Sequence, residues 1–85
     1  MVYHYTTHGT CSRAIDIEVD ENNVVQRVAF DGGCNGNTKG VAALVKGMKA
    51  EDVIGRLENI RCGFKSTSCP DQLAKALKEI AAKNR

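Results

Sequence analysis

The sequence predicts a small α+β domain, a two- or three-stranded antiparallel sheet followed by helices packed on one of its faces. Two observations carry this. Residues 15–20, Ile15-Asp-Ile-Glu-Val-Asp20, alternate apolar and acidic without a break, the pattern of a strand with one wet face. Leu73, Leu77 and Ile80 recur instead at i, i+4 and i+7, the pattern of a helix with one buried stripe. The change of period falls at a glycine-rich loop, Asp31-Gly-Gly-Cys-Asn-Gly-Asn37.

Each element has its own warrant. Residues 2–7 have strand composition and add a candidate third strand at the sheet edge. Glu21-Asn22-Asn23 reads as a turn, because Asn tolerates the left-handed conformations that tight hairpins need. Residues 24–30 are rich in β-branched side chains and form the returning strand. Residues 38–46 read as a short helix with Asn37 as N-cap, Gly47 just past its end, and Val41, Leu44 and Val45 facing inward. A second short helix fits 49–57, with Val53, Ile54 and Leu57 inward and Gly55 weakening it. Ser68-Cys-Pro-Asp71 is a capping box that opens the last helix, which runs through residue 84. Its proline sits in the first turn, where a missing N–H costs nothing. Asp71 near the positive end, with Lys83 and Arg85 near the negative end, suits the helix dipole.

The chain has 85 residues, 42% of them hydrophobic and 26% charged, so residues 1–85 make a single globular domain. With two Tyr, two Phe and no Trp, its core is built from Val, Ile, Leu and Ala. Domains this small often draw on a metal, disulfides or a partner subunit. The thin core and the candidate edge strand therefore make a homodimer an open expectation. No stretch approaches the roughly 20 apolar residues that span a bilayer, which excludes a membrane partner. The first residues lack the basic and apolar regions of a signal peptide, so the expected compartment is the cytoplasm. Twelve basic against ten acidic side chains give a net charge of +2, spread without clusters, which disfavours nucleic acid.

The unusual component is four cysteines: Cys11, Cys34, Cys62 and Cys69. No pair is spaced Cys-x-x-Cys, which argues against a zinc ribbon and a thioredoxin-like dithiol alike. Cys11 falls at the start of the hairpin's first strand and Cys34 just beyond the end of its second, and antiparallel pairing sets those ends side by side. Cys62 precedes the last helix and Cys69 lies in its first turn, where the helix's positive end favours a thiolate. If that end docks on the open end of the hairpin, the four thiols converge. Convergent thiolates suit zinc or iron–sulfur. Buried hydrophobic cysteines, two disulfides and a redox-active thiol set are the competing readings. His4 and His8 lie on or near the edge strand and read as exposed side chains rather than ligands. Gly36-Asn-Thr-Lys-Gly40 lacks the spacing of a phosphate loop. No catalytic pairing of nucleophile and base emerges from the spacing.

Thr67-Ser-Cys-Pro-Asp71, within the run that starts at Cys62, resembles the signature of the TSCPD domain, and Phe30-Asp-Gly-Gly-Cys-Asn-Gly-Asn37 upstream resembles the same family. That resemblance implies a relative of the C-terminal domain of adenosylcobalamin-dependent ribonucleotide reductases, without the reductase's barrel or radical machinery. An enzymatic label of ribonucleoside-diphosphate reductase would follow from the family rather than from any activity of this chain.

More distantly, Cys11 ahead of Ile15-Asp-Ile-Glu-Val-Asp20, then Val28-Ala-Phe-Asp-Gly-Gly-Cys34, then Leu44-Val-Lys-Gly-Met-Lys-Ala-Glu-Asp-Val53, is similar to NifU/IscU-type iron–sulfur scaffolds. By that similarity Cys11, Cys34 and Cys69 take three ligand positions. Arg13 stands where the scaffolds usually carry an Asp, and Cys62 becomes the fourth ligand, closing the site. A closed four-cysteine site implies a structural or storage role over cluster donation. The reading is a cytoplasmic metal-binding protein holding zinc, or less readily an iron–sulfur cluster, on Cys11, Cys34, Cys62 and Cys69. Its implied partners are a ribonucleotide reductase or cysteine-sulfur machinery. The alternative is a thiol/disulfide accessory of ribonucleoside-diphosphate reductase, with Cys62 and Cys69 as its reversible pair.

Overall fold

The computed structural model describes residues 2–7, 9, 10, 12–32, 35–61 and 67–83. The elements run β1 (Val2–Thr6), β2 (Ser12–Val19), β3 (Val25–Gly32), α1 (Asn35–Val45), α2 (Ala50–Leu57) and α3 (Cys69–Lys83). This is the expected α+β order, with three strands in the antiparallel sheet order β1-β2-β3. No helix among the described residues is long and apolar enough to cross a membrane.

Alternation in β2 sets the two faces of the sheet. Ile15, Ile17 and Val19 are fully buried against the helices, while Asp16 and Glu18 point to the other side and stay partly exposed. That second face carries ion pairs: His4 with Asp16, and Arg27 with Glu18. Helices therefore cover one face and water the other. The β2–β3 turn closes on Asp20, whose Oδ1 accepts from the amides of Asn22 and Val24, both at 2.9 Å. Asn23 takes the left-handed conformation, φ 61°, that the sequence expected of an Asn there. Register slips twice, leaving Arg13 as an extra residue on β2 and Gln26 as one on β3.

The link between α1 and α2 lies along the first part of β3. Val25 donates to the Met48 carbonyl at 2.8 Å and accepts from the Gly47 amide at 2.8 Å. Gly47 makes this turn at φ 85°, a conformation a side chain would strain. Ala50 then donates to the Asn23 carbonyl at 2.7 Å, tying the start of α2 to the hairpin turn.

The core joins Ile15, Ile17, Val19, Val25 and Val28 of the sheet to Val45, Val53, Leu73, Leu77 and Ile80 of the helices. Two expectations fail in α1: the helix begins at Asn35, so Asn37 lies within it rather than capping it, and Leu44 is 77% exposed. Thr38 and Val45 are buried and Val41 and Ala42 half-buried, so the covered face of α1 centres on these four. At about 100° per residue, Leu44 lies well round the helix from that centre. Replacing Leu77 by Ala should cost about 2–5 kcal/mol in urea unfolding. The same truncation at Leu44 should cost under about 0.5 kcal/mol, and similar losses at both positions would contradict this assignment of the core.

Candidate functional site

In the first turn of α3 every residue from Cys69 to Ala74 is buried, polar ones included. Buried polar groups persist only when hydrogen-bonded, and Thr67-Ser-Cys-Pro-Asp71 supplies the partners. Ser68 is the N-cap: its Oγ accepts from the Asp71 amide at 3.1 Å, and its carbonyl accepts from the Gln72 amide at 2.9 Å. The same hydroxyl donates to the Ile60 carbonyl at 2.6 Å. Cap and preceding loop are thus held by one side chain.

The Asp71 carboxylate departs from the expected capping box. In that motif it would turn back to the cap residue's own amide. Here Oδ1 accepts from the Asn59 amide at 2.6 Å, and Oδ2 accepts from the Thr67 hydroxyl. Lys75, one turn on, lies 3.3 Å from Oδ2. Gln72 Nε2 donates to Thr67 Oγ1 at 3.0 Å, so that hydroxyl bridges two side chains of α3. Asn59 ends α2 in the left-handed region at φ 68°, which aims its amide at the carboxylate. Gly9, at φ 74°, presses the β1–β2 turn on the same motif: a Cβ there would lie 3.1 Å from Thr67 Cγ2. Four parts of the chain meet on a motif of five residues.

That packing sets Cys69 at the end of the sheet. Its side chain is 9% exposed, and its Sγ lies 3.2 Å from Ser12 Oγ. Ser12 Oγ is in turn 3.0 Å from Thr10 Oγ1, and the Ser12 carbonyl accepts from Thr7 Oγ1 at 2.6 Å. Ser12 opens β2 and pairs with Gly32 at the close of β3. Cys69 therefore sits where the hairpin's two free ends lie side by side, as the sequence expected of it. Cys11, Cys34 and Cys62 lie outside the described residues, and so does His8. Among the described residues no group of three or more metal-ligating side chains assembles. His4 is on the wet face with its Nδ1 2.6 Å from Asp16, away from Cys69. Arg13 is exposed and spends its guanidinium on Asp31 at 3.0 Å.

The hydroxyls of Thr7, Thr10 and Ser12 were not singled out by sequence reasoning. Their signal is the hydroxyl-rich run Thr6-Thr-His-Gly-Thr-Cys-Ser12 around the first cysteine.

Burial pushes the Asp71 carboxyl up, but hydrogen bonds from Thr67 and the Asn59 amide, with Lys75 beside it, bring it below its ordinary 3.8. Its stabilising contribution is therefore complete above that ordinary value and is lost as pH falls through the lower native one. Asp71→Asn should lower stability at neutral pH by about 1–3 kcal/mol and flatten the acid limb of the stability profile. An unchanged limb in the variant would contradict the clasp.

The TSCPD domain is the family whose profile matches this chain, over residues 1–81. No curated protein and no solved structure gives a significant match.

Proposed function

This chain belongs to the TSCPD domain family, and we propose that it is a small metal-binding domain of the kind related to the C-terminal domain of ribonucleotide reductases. Cys11, Cys34, Cys62 and Cys69 would hold the ion, zinc in preference to an iron–sulfur cluster. The observation that carries this reading is the contact between Cys69 and Ser12. Ser12 follows Cys11 in sequence and pairs with Gly32, two residues before Cys34. A sequence neighbour of Cys11 thus touches the thiol of Cys69, and that neighbour's cross-strand partner lies two residues before Cys34.

The chemistry fits that location. Cys69 presents a soft sulfur from the first turn of α3, held at the end of the sheet. The Ser12 hydroxyl can donate to that sulfur, an outer contact of the type that orients a ligand. Zinc bound by four thiolates has no open position, so its contribution is structural: it ties chain segments together and adds binding energy to folding. Arg13, where NifU/IscU-type scaffolds carry an Asp, is committed to Asp31 and leaves a fourth ligand to Cys62.

Metal analysis of anaerobically purified protein tests the reading. It expects close to one equivalent of zinc, or iron with matching sulfide, and less than about a tenth of an equivalent would overturn it. Ser12→Ala should weaken zinc binding about tenfold or more in chelator competition, as loss of an outer contact does. The rival reading, a redox accessory of ribonucleoside-diphosphate reductase, expects no metal. Its mark would be two fast-alkylating thiols, Cys62 and Cys69, that become protected on mild oxidation.

A further inference from the structure

Among the described residues, β1 is an edge strand without the usual protection. Proteins blunt such edges with charged side chains, Lys above all, or with Pro, bulges or a covering segment. The opposite edge shows two of these devices: the Gly47–Lys49 link bonds to the start of β3, and charged Arg27 and Asp31 stand further along it. Val2-Tyr-His-Tyr-Thr6 has no Lys, no Pro and an unbroken register with β2 from Val2↔Glu18 to Thr6↔Ala14. Among the described residues no strand pairs with its outer side.

Which backbone groups face outward follows from one hydrogen bond. The Thr7 amide donates to the Arg13 carbonyl at 3.1 Å, so Thr7 and Arg13 form a hydrogen-bonded pair. In an antiparallel ladder such pairs alternate with open ones. Tyr5·Ile15 and Tyr3·Ile17 are then bonded across to β2. Val2, His4 and Thr6 hold their N–H and C=O groups away from it. The side chains agree, because the open pair His4·Asp16 is the one whose side chains meet, at 2.6 Å.

The outward row is self-complementary. Tyr-His-Tyr reads the same in both directions, and Val2 and Thr6 stand equally far from His4. We propose that a second copy of this chain adds its β1 antiparallel to this one, about a two-fold axis through His4, to make one sheet across two subunits. The two His4 backbones exchange bonds at the axis, and Val2 of each copy exchanges bonds with Thr6 of the other. On the helix face Tyr3 meets Tyr5 of the other copy, an aromatic cross-strand pair. On the wet face each His4 ring is already held by its own Asp16, so no unpaired charge enters the interface. Exposed Val2 gains cover beside the opposing strand.

Sedimentation of the full chain under reducing conditions tests this, with amide hydrogen exchange measured at low and high protein concentration. The expected result is a reversible dimer in which the amides of Val2, His4 and Thr6 become protected as concentration rises. His4→Pro removes a donor that makes no bond to β2, as proline on an open edge does. It should weaken the dimer at least about tenfold with the far-ultraviolet circular dichroism unchanged. His4→Gln should keep the dimer. A monomer with a dissociation constant above about 1 mM, or a dimer in which those three amides stay unprotected, would overturn the proposal whether or not the proline variant folds.

Discussion

Asp71 keeps a carboxylate out of water at the first turn of α3 and can do so only because every donor it needs is delivered to it. Thr67 comes from the segment before the helix, Asn59 from the end of α2, and Lys75 from the next turn of α3. Removing a charge from water without such partners would cost several kcal/mol, so the carboxylate dictates where those segments go. The Ser68 cap adds Ile60 to the same knot, and Gly9 lets the β1–β2 turn close over Thr67. The start of α3 is in this way fixed to both halves of the chain.

The five-residue signature divides its labour accordingly. Thr67, Ser68 and Asp71 make hydrogen bonds, and Pro70 occupies a position whose amide the helix does not need. Cys69 alone brings a reactive atom, and the other four residues hold it at the sheet end beside Ser12. A helix start anchored by buried polar contacts is a rigid platform for a ligand, because displacing the sulfur would break several of those bonds at once.

Much of this was legible in the sequence. The alternation of Ile15, Ile17 and Val19 and the spacing of Leu73, Leu77 and Ile80 report burial directly, since each element faces one large apolar layer. Leu44 misled because α1 covers β3 with a face set by the position of the sheet, which helical spacing alone does not reveal. The bulge at Arg13 interrupts the alternation, so the periodic signal of β2 begins only at Ile15 although the strand starts at Ser12. Ser-x-x-Asp marked the start of α3 correctly. The destination of its carboxylate depended on Asn59, twelve residues back in sequence, and no local rule reaches that far. Antiparallel geometry sets the hairpin's free ends side by side, and Cys69 reaches them because α3 docks there, which the sequence left as a condition; Cys11, Cys34 and Cys62 lie outside the described residues.

Cys69 and the Asp71 clasp share the start of α3, so a metal bound at Cys69 would reinforce the contacts that Asp71 already organises. Cobalt(II) titrated into the reduced, metal-free chain reports most directly on whether the four thiols form one site. A single equivalent should give intense tetrahedral ligand-field bands in the visible, with strong sulfur-to-cobalt charge transfer in the near ultraviolet. The charge-transfer intensity should match four thiolates and fall when any one of the four cysteines is replaced by Ser. A pale octahedral spectrum without charge transfer would contradict a four-thiolate site.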